Sequence, residues 1–156
     1  MKVALANDHR GINAIEQIKA IISQLGFECI DYSINADQPV DYPDMAYAAS
    51  TAVAQKKADR AILVCGTGIG MSIAANKVKG IRAALCYDEL AAKLSREHND
   101  ANVLCLSGDL IGPTMMRKIV ETWLTTEFVA GRHLRRVRKI QAIEEGMDPR
   151  QLNTEA

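Results

Sequence analysis

Short apolar segments alternate with longer amphipathic segments along most of the chain, and this alternation constrains the fold more than any other feature. The clearest short segment is Arg60–Cys65, whose continuous apolar run is typical of a strand covered on both faces of a sheet. The clearest long segment is 11–25, where isoleucines recur at helical spacing until Gly26 ends the helix. Strands that alternate with helices imply right-handed crossovers and a parallel sheet. The sequence therefore predicts an α/β fold, a three-layer αβα sandwich around a doubly wound, Rossmann-like, five-stranded parallel sheet, with an extended C-terminal helix.

The same patterns give approximate bounds for each element. The predicted strands are 2–7, 27–31, 60–65, 81–86 and 102–106. The predicted helices are 11–25, 43 to about 57, 69–77, 88–97, 114–126 and 133–145. Asp88 is the expected N-cap of the fourth helix. A length of 156 residues suits one domain, so we predict a single domain over 1–146 and a polar tail over 147–156.

Composition excludes several classes of protein. Lys and Arg total 19, and so do Asp and Glu, whereas a general binder of nucleic acid or of membrane surfaces carries a basic excess. No apolar run approaches the length of about 18 residues that a membrane span needs, and residues 1–9 turn polar too early for a secretory signal. The four cysteines form no C-x-x-C pair. We expect a cytoplasmic protein with free thiols and without nucleic-acid or membrane partners.

The glycine-rich segment 65–72 is the most informative motif. Three alternating glycines follow a buried strand and precede a helix, which is typical of a loop whose backbone N–H groups hold an anion. Met71 stands where a Walker A motif and a dinucleotide-binding fingerprint each require glycine, and where a cysteine-phosphatase loop requires arginine. With these three motifs excluded, the candidate functional residue is Cys65 at the strand end, where a helix N-terminus favours the thiolate form. We interpret Cys65 as functional, Cys29 and Cys105 as packing residues, and leave Cys86 open with packing favoured.

Two polar segments allow both a structural and a functional interpretation. Asp8 and His9 follow the first strand, where they either cap the next helix or face a ligand at the carboxyl edge of the sheet. His98 and Asn99 end the fourth helix, where His98 would favour the helix dipole and Asn99 would take a left-handed backbone conformation.

A basic segment, 132–139, carries five cations and no acid. Arg132 and Arg136 lie four residues apart on one helix face, which suits a single phosphate group. A solvated basic helix and a nucleic-acid contact are the alternatives. Balanced charge and an aromatic content of 4% disfavour the nucleic-acid contact.

Taken in order, these motifs resemble the ribose 5-phosphate isomerase B family, which includes the galactose 6-phosphate and allose 6-phosphate isomerases. The resemblance extends over about residues 1–145. It is carried by the segments 8–9, 41–43, 65–70, 72–77, 80–83, 98–104 and 131–133.

The resemblance implies a reversible aldose–ketose isomerisation through an enediolate, most directly of ribose 5-phosphate to ribulose 5-phosphate. It assigns the proton transfer between adjacent carbons to Cys65 and the opening of the sugar ring to His98. Asp8 and Thr67 would assist proton movement among the hydroxyls. The further substrate or phosphate ligands that it implies are His9, Tyr42, Gly66, Gly68, Ile69, Gly70, Asn99, Arg132 and Arg136. It also implies a homodimer, or a dimer of dimers, with active sites shared between chains, a phosphorylated sugar as partner, and neither metal nor organic cofactor.

The sequence departs from this resemblance at Asp109, where the family usually has an arginine that faces the phosphate. A carboxylate there would repel a phosphate by about 1 kcal/mol at 4 Å in a wet site, unless Asp109 pairs with Arg132 or Arg136. Other C4–C6 sugar phosphates therefore stay open as substrates. A non-catalytic module that binds sugar phosphates is the second hypothesis, but binding alone requires neither Cys65 nor His98.

Overall fold

The computed structural model describes residues 1–34 and 39–152. The strands are β1 (Lys2–Asn7), β2 (Glu28–Asp31), β3 (Arg60–Cys65), β4 (Ala83–Leu85) and β5 (Val103–Ser107). The helices are α1 (Ile12–Gln24), α2 (Tyr42–Ala54), α3 (Ile69–Ala75), α4 (Glu89–Asn99), α5 (Pro113–Thr125) and α6 (Arg132–Glu144), followed by a 3₁₀ turn at Pro149–Gln151. The predicted element order and α/β class are confirmed. Residues 35–38, between the second predicted strand and the second predicted helix, and residues 153–156 of the predicted tail lie outside the described residues.

The five strands form one parallel sheet in the order β2-β1-β3-β5-β4. From β1 the chain moves outward to β2, and from β3 it moves outward in the opposite direction. The crevice between the carboxyl ends of β1 and β3 is therefore the topological switch point, where sheets of this kind bind ligands.

Alternate side chains of the sheet enter two different cores. Ile62 and Val64 of β3 pack with α1, α4 and α5, whereas Leu63 and Cys65 pack with α2 and α3. The second core is rich in alanine, contributed by β1 and by α2, so α2 packs closely against the sheet. Because side chains alternate along a strand, the position of Cys65 at the end of β3 directs its sulfur toward the layer that contains α3.

Strand β4 is shorter than the predicted strand 81–86. It pairs only with β5, over three residue pairs. Side chains satisfy the backbone just before it, because Asn102 accepts a hydrogen bond from the Arg82 N–H at 2.8 Å and Asn76 accepts one from the Ala83 N–H at 2.9 Å.

The two ends of α4 differ in how well the sequence predicts them. Asp88 is the N-cap as predicted, and its carboxylate accepts a hydrogen bond from the Ala91 N–H at 2.7 Å. The left-handed residue after the helix is Asp100, with φ of 46°, so the expectation for Asn99 is wrong. The Asp100 carboxylate accepts hydrogen bonds from the guanidinium groups of Arg82 and Arg96 at 2.8 and 2.9 Å, which holds this backbone conformation. Within the described ranges no helix has the length and apolarity that a membrane crossing requires.

Candidate active site

Three strand ends meet at the carboxyl edge of the sheet. The Asp8 N–H donates to the Val64 carbonyl at 3.1 Å, and the Gly108 N–H donates to the Cys65 carbonyl at 2.8 Å. Cys65 is also the register partner of Ser107. The turns that follow β1, β3 and β5 are therefore hydrogen-bonded to one another, and Cys65 lies at their centre.

The sulfur of Cys65 accepts a hydrogen bond from the Gly68 N–H at 3.1 Å. Only 4% of this cysteine is exposed. Gly68 has a φ of +79°, and a Cβ there would lie 2.5 Å from the Leu85 Cδ1 and 3.0 Å from the backbone of Leu106. Glycine is thus required both by the left-handed conformation and by the close approach. The glycine-rich loop therefore directs one backbone N–H to the Cys65 sulfur, and the binding of an anion by this loop stays a prediction.

Two residues outside the loop hold it in place. The Ser107 hydroxyl donates to the Gly66 carbonyl, and the Tyr87 hydroxyl donates to the Thr67 carbonyl at 2.8 Å. The Thr67 hydroxyl accepts from the Ile69 N–H at 3.3 Å and is otherwise exposed. Sequence reasoning did not assign Ser107 or Tyr87 to the site, although Ser107 ends β5 and Tyr87 follows β4 at the carboxyl edge.

Asp8 is buried and shapes the turn that precedes α1. Its Oδ1 accepts from the Arg10 N–H at 2.8 Å, and its carbonyl accepts from the Gly11 N–H at 3.0 Å. Asp8 therefore fixes the turn but does not cap α1, whose N-cap is Gly11 without a side-chain hydrogen bond. Its carboxylate lies at the same edge as Cys65. His9 is the exposed neighbour on this turn.

Tyr42 begins α2 and covers the start of α3. A Cβ at Gly70 would lie 2.6 Å from the Tyr42 Cε2, so the ring packs directly on this glycine. Because 42% of the tyrosine is exposed, the ring also forms part of the rim around the glycine-rich loop.

An ion pair bridges the turns after β1 and β5 across the glycine-rich loop. The Arg10 guanidinium donates from Nη2 and Nε to the Asp109 Oδ2 at 2.8 and 3.1 Å. A Cβ at Gly66 would lie 3.0 Å from that oxygen. The hydrogen bond to Asp109 raises the pKa of Arg10. Within the chain, Asp109 therefore pairs with Arg10 and not with Arg132 or Arg136, the two partners that the sequence analysis left as alternatives.

The remaining predicted residues lie at the opposite edge of the sheet. Helix α4 begins at the carboxyl edge and returns to the amino edge, where the Asn102 carbonyl accepts from the Ala61 N–H at 3.0 Å. His98 and Asn99 are in the last turn of α4, so they lie beyond the amino end of β5. The strand from Ala61 to Cys65 alone spans about 13 Å.

Helix α6 joins this second group. The His98 and His133 rings stack with centroids 4.0 Å apart and planes at 8°. His133 is buried, and its Nδ1 has no hydrogen-bond partner among the described residues. Burial lowers the pKa of His133, and the neighbouring His98 and Arg132 add to the effect. Arg132 and Arg136 are exposed on the same helix. The sequence places His133 in a recognised motif but does not assign it to the site.

The other three cysteines are packing residues. Burial raises the pKa of Cys86 to about 11 and raises the pKa values of Cys29 and Cys105 as well. Thiols of this kind stay protonated at neutral pH. In the described part of the chain, no three His, Cys, Asp or Glu side chains come together as a metal site.

Comparison with known proteins supplies the family. A family model described as Ribose/Galactose Isomerase matches residues 3–140. Ribose-5-phosphate isomerase B of Escherichia coli is 42% identical over 92% of this chain and 97% of its own length. D-erythrulose-4-phosphate isomerase of Pectobacterium atrosepticum is 40% identical over 90% of this chain and 93% of its own length.

A solved structure shows the same fold. Ribose-5-phosphate isomerase B of Clostridium thermocellum superposes with a TM-score of 0.91 at 46% identity, covering 94% of this chain and 99% of that protein. The family model matches most of the chain, the two relatives match over nearly their full length, and the fold is shared. These findings agree with the motifs at both sheet edges, and the chain belongs to the ribose/galactose isomerase family.

Proposed function

We propose that this protein is a sugar-phosphate aldose–ketose isomerase in which Cys65 is the base, with ribose 5-phosphate and ribulose 5-phosphate as the substrate pair. The observation that carries the proposal is the hydrogen bond from the Gly68 N–H to the Cys65 sulfur, inside a glycine-rich loop at the switch point of the sheet. A thiolate is stabilised by such a donor. For the other three thiols, by contrast, burial raises the pKa and disfavours the thiolate.

The chemistry requires a base and a site for negative charge. The Cys65 thiolate removes a proton from the carbon next to the carbonyl, the enediolate forms, and the thiol returns the proton to the neighbouring carbon. Backbone N–H groups of residues 66–70 stabilise the enediolate oxygen. Asp8 and Thr67 move protons between the two oxygens, and Tyr42 lines the rim. His98 opens the sugar ring before this step.

The site is completed by a second copy of the chain. Cys65 and His98 occupy opposite edges of one sheet, so a single chain does not bring both to one sugar. In a homodimer, the Cys65 edge of one subunit faces the His98 edge of the other, and Asn99, Arg132 and Arg136 then bind the substrate and its phosphate together with His9. Exposed isoleucines lie near both edges, Ile73 on α3 and Ile140 on α6, and provide apolar surface for such an interface.

The Arg10–Asp109 ion pair affects the choice of sugar. Asp109 occupies the position where the family usually has an arginine that faces the phosphate, and Arg10 neutralises the charge of Asp109. We therefore place the phosphate with the arginines of the partner subunit and leave the neutral pair beside the sugar. Two of the relatives carry the names of isomerases of a pentose phosphate and a tetrose phosphate, so a panel of C4–C6 aldose phosphates identifies the preferred substrate.

The decisive experiment is the variant Cys65→Ala, with Cys29→Ala as the matched cysteine control. Ketose formation and the exchange of substrate hydrogen with D₂O are measured together. Loss of a general base lowers the rate by about 10²–10⁴-fold, so Cys65→Ala loses both signals while its circular dichroism stays that of the parent. Full isomerisation in Cys65→Ala contradicts the assignment. Sugar-phosphate binding by the unaltered protein with no exchange for any sugar supports the non-catalytic module instead.

A further inference from the structure

Tyr87 and Cys65 are bound to opposite ends of one peptide group. The Tyr87 hydroxyl donates to the carbonyl oxygen of Thr67 at 2.8 Å. The N–H of the same peptide group, which belongs to Gly68, donates to the Cys65 sulfur at 3.1 Å. The C=O and N–H of a trans peptide point in opposite directions, so the hydroxyl, the peptide and the sulfur form a continuous chain of hydrogen bonds.

In such a series of hydrogen bonds, each bond strengthens the next. A hydrogen bond accepted by a carbonyl polarises the peptide and makes its N–H a better donor, by about 10–30% per bond. It also fixes the rotation of the peptide plane, which the glycine at position 68 does little to restrict because it lacks a Cβ. An oriented, polarised N–H stabilises a thiolate more than a thiol.

We propose that Tyr87 is a positioning residue for Cys65, acting through the peptide between Thr67 and Gly68. The consequence for catalysis rests on the proposed function, whereas the effect on the thiol does not. Tyr87 lies just after β4 and is 41% exposed, so its ring contributes little to the core.

The loop has other supports that persist without this hydroxyl. Ser107 still donates to the Gly66 carbonyl, and Gly68 still packs against the Leu106 backbone. Removal of the hydroxyl therefore changes the orientation and strength of one donor rather than the fold of the loop.

The test compares Tyr87→Phe with Tyr47→Phe, a control tyrosine that is 64% exposed on α2. Alkylation of Cys65 by iodoacetamide is followed by mass spectrometry as a function of pH, without sugar. Apart from the substituted tyrosine itself, the ionisable groups around the cysteine are unchanged in both variants: Asp8 and Arg10 after β1, Asp109 after β5, Tyr42 on α2, and Cys105 on β5.

In Tyr87→Phe the midpoint of the pH–rate profile moves to higher pH, and alkylation at neutral pH falls about two- to tenfold, the range for one neutral hydrogen bond. The value of kcat falls by a similar factor, and KM stays within about twofold, because the Tyr87 hydroxyl donates to the Thr67 carbonyl and not to a substrate-binding group. Tyr47→Phe matches the parent protein in each measurement. A Tyr87→Phe profile that coincides with the parent profile overturns the proposal, even if thermal stability is lower.

The two proposals fail separately. If Cys65→Ala retains isomerisation, Cys65 is not the base, and the alkylation profile of Tyr87→Phe alone decides the role of Tyr87. If the alkylation profile is unchanged while Cys65→Ala is inactive, the proposed function stands and the role of Tyr87 is refuted.

Discussion

Two inactive variants should restore each other's activity if each active site takes residues from two chains. The variants Cys65→Ala and His98→Asn each lose isomerisation as pure proteins, because every site then lacks one group. In a mixed dimer one site contains both lesions and the other contains neither, since the two residues lie at opposite edges of the same sheet. Each mixed dimer then has half the parent activity. Equal mixing at random makes about half of the dimers mixed, so the preparation recovers about a quarter of the parent activity.

The assay mixes the two variants at equal concentration in denaturant, refolds them together and measures ketose formation from the preferred aldose phosphate. Distinct affinity tags confirm that mixed dimers have formed. The matched control pairs Cys65→Ala with Asp8→Asn, because these residues lie at the same edge, so no mixed dimer regains an intact site. Failure to recover activity in the first mixture, with mixed dimers present, refutes the shared site. Equal recovery in both mixtures shows instead that the lesions do not act at the edges assigned here.

Three further perturbations follow from the geometry. Arg10→Ala leaves Asp109 unpaired at the crevice beside the sugar. The uncompensated carboxylate raises KM for sugar phosphates by at most about fivefold, the factor for a repulsion of about 1 kcal/mol at 4 Å. Adding Asp109→Asn returns KM toward the parent value in steady-state assays. Gly80→Ala lowers the free energy of unfolding by about 1–2 kcal/mol, because its backbone is left-handed. Gly68→Ala lowers it by about 1–3 kcal/mol more, because its Cβ also meets a neighbour. Urea unfolding measures both changes. Because the pKa of His133 is lowered from 6.5 in the folded state, the unfolded state binds more protons below that pH. The free energy of unfolding therefore falls as pH drops through about 6.5, and His133→Asn flattens that slope.

Local patterns in the sequence predict most of the fold. The continuous apolar run of β3 and the isoleucine spacing of α1 identify a buried strand and a one-sided helix from neighbouring residues alone, and both are confirmed. The N-cap at Asp88 is also a local feature. The sequence is less informative where long-range contacts replace local preference, as at the short β4, whose flanking N–H groups are held by Asn76 and Asn102.

The position of the Cys65 loop could likewise be predicted, because alternating glycines directly after a buried strand are typical of a loop with accessible backbone N–H groups. The contacts that set its geometry could not. Arg10 and Asp109 are separated by 99 positions, and Tyr87 by 20 positions from the carbonyl to which it donates. Such pairs depend on the order of the strands in the sheet, which no local pattern encodes.

The amino-acid sequence alone determined the α/β class, the glycine-rich loop after β3 and the basic helix face, because each depends on residues within a few positions of one another. The tertiary structure decided that Asp109 meets Arg10, that His98 stacks on His133, and that both histidines lie at the sheet edge away from Cys65. The physical reason is that strand order and the direction of α4 place these groups in space, and neither is a property of neighbouring residues.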